Sequence, residues 1–193
     1  MTLRTTFLLL TAVVTLTSCA QSKPAPTPPG LRYLEAQPLR LNVSSIEVVK
    51  AYDSPKQAPY VDHKFPIPPV ATIEQWARDR LQAGGSTGRA VLTIEDASVR
   101  EHKLPKTGSI KGSFTVDQSE RYDMNLRVKL EILDGRGYTA SFVKAGSSLS
   151  RSVPEDISLY NRTLFWTKLL EDAMNALDSE LSKNAQQYLA PGF

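Results

Sequence analysis

The chain has 193 residues and a single cysteine, so no internal disulfide can form, and 23 basic against 20 acidic residues leave a net charge of only +3. That balance, with both signs interspersed, excludes the basic stripe of a nucleic-acid-binding protein, and no nucleic acid partner is expected. One cysteine also excludes a disulfide-stapled scaffold, so any fold rests on packing alone.

The chain opens with Arg4 ahead of FLLLTAVVTL, Phe7 to Leu16. Crossing about 30 Å of hydrocarbon takes about 20 apolar residues, so this run is too short to span a membrane and has the size of a signal-peptide core. Leu16-Thr17-Ser18-Cys19 follows, and it resembles a bacterial lipobox. The resemblance implies that residues 1–18 are a lipoprotein signal peptide and that Cys19 becomes the lipidated amino terminus. Each buried CH₂ is worth about 0.8 kcal/mol, and the several acyl chains of a lipoprotein give the stable anchoring that one chain does not. Ala20 stands where an inner-membrane retention pattern would have Asp. By the same resemblance the protein is expected on the outer membrane facing the periplasm, or on the cell membrane of an organism that has only one. The competing reading is a secreted protein with an incidental cysteine. Residues 19–38, which include QSKPAPTPPG, are too rich in proline to build a core and read as a tether.

Residues 39–193 are expected to form one α+β domain, of a size able to bury a core. Leu39 to Tyr52 alternates as a strand whose phase slips at Ser44-Ser45, read as a bulge. The proline-rich stretch Ser54 to Pro69 is expected to be irregular. Thr72-Ile-Glu-Gln75 reads as a capping box opening a helix with Ile73, Trp76, Ala77 and Leu81 on its apolar side and Gly84 as its stop. Gly88 to Leu104 is a second strand, with a slip at Glu95-Asp96. From Tyr122 to Ile132 every even position is apolar and every odd one polar, the pattern of a half-buried antiparallel strand. DGRG, Asp134 to Gly137, turns into a partner strand ending near Leu149. The last element, from about Ser158 to Leu189, is a helix with Trp166, Leu169, Leu170, Ala173, Met174, Leu177, Leu181 and Tyr188 in one arc. Lys168, Glu171, Asn175, Asp178 and Ser182 fall opposite. Its length, about 45 Å, exceeds a compact domain of this size, so its end is expected to project or wrap an edge. The order β-α-β-β-β-α predicts a two-layer α+β sandwich: a mostly antiparallel sheet of about four strands with two helices on one face.

Candidate chemistry is sparse. GGSTGR, Gly84 to Arg89, is glycine-rich but precedes a strand rather than opening a helix, so it reads as a connection and not a phosphate loop. His63, His102 and Asp62 lack metal-ligand spacing, and no nucleophile sits in a recognisable motif. No metal or other cofactor is expected. Glu95-Asp96 and Glu171-Asp172 are sequence neighbours, which do not face one another, and read as solvated charges. Arg100, Lys103, Lys106 and Lys111 form a basic stretch that reads first as a solvated loop and second as a contact for anionic groups. Phe193 is a terminal aromatic, but Pro191-Gly192 spoil a last barrel strand.

The lipobox, the proline-rich tether and the strand-helix-strand-strand-strand-helix order together resemble the auxiliary lipoproteins of ABC-type lipid transport and the lipoprotein partner of the lipopolysaccharide translocon. The stretch VPEDISL, Val153 to Leu159, is similar to uncharacterised lipoproteins. The resemblance implies a non-catalytic, membrane-anchored binding component of envelope transport or assembly, with an envelope protein or lipid as partner. No functional residue beyond Cys19 carries over. The alternatives are an envelope hydrolase with a site built from scattered residues, and a purely structural lipoprotein. Tyr60 and Phe65 in the proline-rich stretch and Tyr188 at the helix end are the candidate partner contacts, since aromatics on restrained backbone bury area at low entropic cost.

Overall fold

The computed structural model describes residues 37–105, 118–154 and 156–189. The fold is α+β. Its elements in chain order are β1 (Leu39–Leu41), β2 (Ser45–Lys50), a 3-10 turn (Asp62–Lys64), α1 (Pro69–Arg80), β3 (Leu81–Ala83), β4 (Arg89–Lys103), β5 (Gln118–Leu133), β6 (Thr139–Pro154) and α2 (Leu159–Tyr188). Four strands form the main sheet in the order β2-β4-β5-β6, with β2 parallel to β4 and the other pairs antiparallel. β1 and β3 pair in parallel as a small second sheet.

The alternation in β5 sets the layering. Tyr122, Met124, Leu126, Val128 and Leu130 are all buried, and their register partners Val99, Ala97, Ile94 and Leu92 on β4 are buried with them. The slip on β4 is a bulge between Ile94 and Asp96, where the Asp96 carboxylate accepts from the Ser98 backbone N–H at 3.0 Å. The bulge moves the inward set from even to odd positions and keeps Ala97 and Val99 in the core. Val143 and Ala145 of β6 continue the same face, against which α2 lays Leu169, Leu170, Ala173, Met174, Leu177 and Leu181. At ~25 cal/mol per Å², each such side chain contributes about 1.5–3 kcal/mol of burial, which makes this seam the main source of stability.

Four expectations need correction. The slip at Ser44-Ser45 is a break rather than a bulge: β1 and β2 lie in different sheets, because Ser44 N–H leaves the first ladder to bond Thr87 and Gly88 carbonyls. Helix α1 starts three residues before the predicted capping box, with Pro68 as N-cap and Pro69 in its first turn, where a missing N–H costs nothing. The Thr72 hydroxyl turns back to the Pro68 carbonyl at 3.2 Å, and Gln75 bonds Asp79 and Arg78, so no capping box forms. At the other end α1 stops at Arg80, because Leu81 turns extended to pair with Leu39; Gly84 lies beyond β3 and is not the helix stop.

Asp178, placed by periodicity on the polar face of α2, is only 4 % exposed. It receives Arg80 Nε at 2.8 Å and Trp76 Nε1 at 3.0 Å, while Arg80 Nη2 reaches Ser182 at 3.1 Å. This buried cluster joins the two helices. Nor does α2 overhang the domain. Strands β5 and β6 run 16 residues each, roughly 50 Å at ~3.3 Å per residue, and the helix lies along them. Near its end α2 caps the outer edge of β6: Glu180 accepts from Gly146 N–H at 3.0 Å and Asn184 donates to the Lys144 carbonyl at 2.8 Å. Side chains here occupy backbone groups that an edge strand otherwise leaves unpaired.

Candidate functional site

The long strands give the domain two ends, and the candidate residues divide between them. At the end away from the β5–β6 turn, the proline-rich stretch runs beside β4 past the bulge. Val61 N–H bonds the Val99 carbonyl, Glu101 N–H bonds the Pro59 carbonyl, and Tyr60 bridges Arg100. The Arg100 guanidinium lies 5.1 Å from the centre of the Tyr60 ring and its Nη2 donates to the Tyr60 hydroxyl at 3.1 Å. Arg100 also borders a shallow groove of about 300 Å³ on the open sheet face, with Asp123, Asn125, Ser148 and Ser150. Burial opposes ionisation of Asp123, but hydrogen bonds from Ser150 and Arg121, and the charges of Arg121 and His102, outweigh it and hold the carboxyl below its usual range.

Phe65 is not a surface contact. It is 4 % exposed and stacks on Trp166 of α2 at 5.0 Å and 10°. Tyr122 meets Phe165 and Trp166 at 5.6 and 5.8 Å, completing a ring cluster under the first third of the helix. Its hydroxyl faces two carboxylates, Glu120 at 2.8 Å and Glu101 at 3.2 Å, and Glu120 is paired with Arg162 at 3.0 Å. Burial, then the hydrogen bond to Glu120 and the neighbouring negative charges, push the Tyr122 hydroxyl well above its ordinary value, so it stays a neutral donor. Just outside this cluster Ile67, Leu159 and Tyr160 are exposed.

Tyr188 sits at the opposite end. The bond from Asn184 to Lys144 places the last turn of α2 beside the part of β6 nearest the β5–β6 turn. At ~3.3 Å per strand residue, Tyr188 and Tyr60 are roughly 30 Å apart and do not form one surface. Tyr188 is 60 % exposed and joins Tyr138 (69 %) and Phe142 (54 %) at that end. Arg136 lies over the Tyr138 ring at 5.7 Å, and Lys129 over Phe142 at 5.1 Å. Tyr138 and Phe142 were not singled out from the sequence. Their signal was legible all the same: Phe142 pairs with Glu131, so it is an aromatic on the polar phase of its strand.

Most of the remaining polar candidates are bound to one another; His63 is not, its Nδ1 being buried without a hydrogen-bond partner. His102 contacts Asp123 at 3.1 Å, Glu95 pairs with Lys144 at 2.9 Å, and Asp96 with Arg127 at 3.2 Å. Asp172 pairs with Lys168 at 2.7 Å. Asp62 is buried and accepts from the Tyr52 hydroxyl at 3.3 Å. Among the described residues no three His, Cys, Asp or Glu side chains gather as a metal site. The stretch from Gly84 to Arg89 links β3 to β4, and Gly85 lies so close to Asn42 that a Cβ would strike its backbone at 2.6 Å. Cys19, the tether before Gln37, Lys106, Lys111 and Phe193 lie outside the described residues. No described helix is long and apolar enough to cross a membrane.

No family model matches this chain, and no curated protein matches it. Among solved structures it is similar to a minor lipoprotein from Acinetobacter baumannii, at 13 % identity and TM-score 0.39, over 77 % of this chain and 96 % of that one. It is also similar to the rare lipoprotein B from Shewanella oneidensis, at 12 % identity and TM-score 0.39, over 75 % of this chain and 96 % of that one. A protein from Xanthomonas campestris matches at 9 % identity and TM-score 0.37, over 84 % and 95 % of the two chains. At these values the likenesses carry no functional argument.

Proposed function

We propose that this chain is a lipid-anchored, periplasm-facing accessory protein of the bacterial envelope, which binds a partner protein or lipid in transport or assembly rather than turning over a substrate. The anchor rests on the Leu16–Cys19 lipobox and the proline-rich tether. The observation that carries the rest is the commitment of the polar side chains to each other. Glu95, Asp96 and Asp172 are each matched to a Lys or Arg in a surface ion pair, and His102 lies against Asp123. The end bearing Tyr60, Ile67, Leu159 and Tyr160 offers aromatic and apolar side chains instead, the kind enriched at binding anchors.

The test pairs partner capture from membranes with stability. Tyr60→Ala together with Tyr160→Ala should lower capture while the urea midpoint stays within error of wild type, since neither residue is in the core. A His63→Ala/His102→Ala variant that abolished the cellular phenotype with capture intact would sink the non-catalytic reading.

A further inference from the structure

The end of the domain that carries the β5–β6 turn bears three exposed aromatics: Tyr138 beside the turn, Phe142 on the open face at the start of β6, and Tyr188 at the end of α2 on the other side of the sheet. The tether joins near this same end. β1 pairs with β3, Gly84 N–H bonds the Leu41 carbonyl, and Ser44 N–H bonds Gly88, whose own neighbour is the Leu133 carbonyl at the mouth of the turn. Gln37 is four residues from Leu41, so the tether arrives within roughly 20 Å of the turn at ~3.3 Å per residue. Residues 19–36 span at most roughly 60 Å when fully extended. Lowering the opposite end to the membrane would use nearly all of that length to run back along a sheet of roughly 50 Å. With the turn end lowered, no more than about a third is used.

The charge at this end narrows what it meets. The Lys129 ammonium over Phe142 is paired with Glu131 at 2.8 Å, and the Arg136 guanidinium over Tyr138 with Asp134 at 3.2 Å. Hydrogen bonds from the backbone of Tyr138 and Arg136 and from the Arg136 side chain hold the Asp134 carboxyl below its usual range, so it stays charged beside its partner. Lys183, exposed five residues before Tyr188, adds a further cation at this end. Aromatic rings with paired cations over them and an ammonium beside them suit the headgroup zone of a bilayer, where Tyr and other amphipathic rings concentrate.

We propose that the β5–β6 turn end is membrane-proximal and that Tyr138, Phe142 and Tyr188 rest in the phospholipid headgroup layer as a second contact beside the lipid on Cys19. This rests on the lipid-anchor reading. It orients the molecule, holding Tyr60, Ile67, Leu159 and Tyr160 about a domain length away from the bilayer.

The experiment uses the full lipidated chain in phosphatidylcholine vesicles. The sulfur of Cys19 is occupied by lipid, so an introduced cysteine is the only free thiol and can carry an environment-sensitive fluorophore. A label at Tyr138→Cys or Phe142→Cys should shift to the blue on vesicle binding and be quenched by shallow lipid-borne quenchers, insensitively to salt. A label at Tyr60→Cys should do neither. Equal behaviour at the two ends, or stronger quenching at Tyr60, overturns the orientation. So does a blue shift at Tyr138 that grows with protein concentration without vesicles, which marks a second copy as the occupant, and so does a response that requires anionic lipid and vanishes with salt. If the chain carries no acyl mass and does not bind vesicles, the anchor reading itself has failed; acyl mass with an unresponsive Tyr138 label rejects this inference alone.

Discussion

Asp178 joins the two helices through Arg80 and Trp76. Two charges buried together cost desolvation, and their attraction roughly offsets it, so the pair is worth little against apolar replacements of equal volume. Removing one partner is different, because it strands the other. Asp178→Ala should therefore cost about 3–5 kcal/mol in urea denaturation, leaving the Arg80 guanidinium and the Trp76 N–H without their acceptor. Arg80→Met with Asp178→Leu should recover part of that loss, since the Trp76 N–H stays without its acceptor; a single-variant cost below about 1 kcal/mol would mean water reaches the pair. Asp123 acts on the pH axis. Its folded-state value lies below the unfolded one, so its contribution is complete above the ordinary carboxylate pKa of about 3.9 and is lost as the pH falls through the folded value. Asp123→Asn should flatten the acid side of the stability–pH profile below about pH 4, as measured by denaturation at fixed ionic strength.

Among the elements, β5 is where sequence and structure agree most closely, and it offers a paired test. Leu126→Asp places an unpaired carboxylate on the buried face and should cost several kcal/mol, whereas Lys129→Asp on the open face should cost no more than about 1 kcal/mol. Equal unfolding by both would mean that the sheet is buried on its two sides. The proline-rich stretch gives the converse case. Phe65→Ala removes a ring stacked on Trp166 and should destabilise by about 3–5 kcal/mol, while Tyr60→Ala, five residues earlier, should leave thermal stability nearly unchanged. The ring five positions away is half-buried against Arg100 of β4 rather than under the helix, with the 3-10 turn at Asp62–Lys64 between the two.

For the molecule as a whole, the proposed lipid anchor is the reading with the largest cellular consequence. Intact mass should show a chain beginning at Cys19 with added acyl mass, and Cys19→Ser should move the protein to the soluble fraction. Tight membrane retention of that variant would refute the lipid as the principal anchor. The aromatic contact proposed at the turn end is too small to hold the domain by itself, since stable attachment takes more than one weak signal.

Local patterns alone identified the half-buried strand over Tyr122–Ile132, the turn at Asp134–Gly137, the bulge near Glu95-Asp96 and the C-terminal helix from near Ser158. Each depends on periodicity or turn chemistry that neighbouring residues carry among themselves. The sequence also marked Leu16–Cys19, a short signal that needs no fold to be read. Contacts between distant residues decided the rest. The separation of β1 from β2 depends on Ser44 meeting Gly88, 44 positions away, and the burial of Asp178 on Arg80, 98 positions away. No window of sequence holds both partners of either pair. Tyr60 and Tyr188 shared a composition argument but lie at opposite ends, and Tyr188 shares an end with Tyr138 and Phe142 only because α2 runs back along the hairpin to cap its edge. Which aromatics share a surface follows from where the chain returns, and only the packed tertiary structure fixes that.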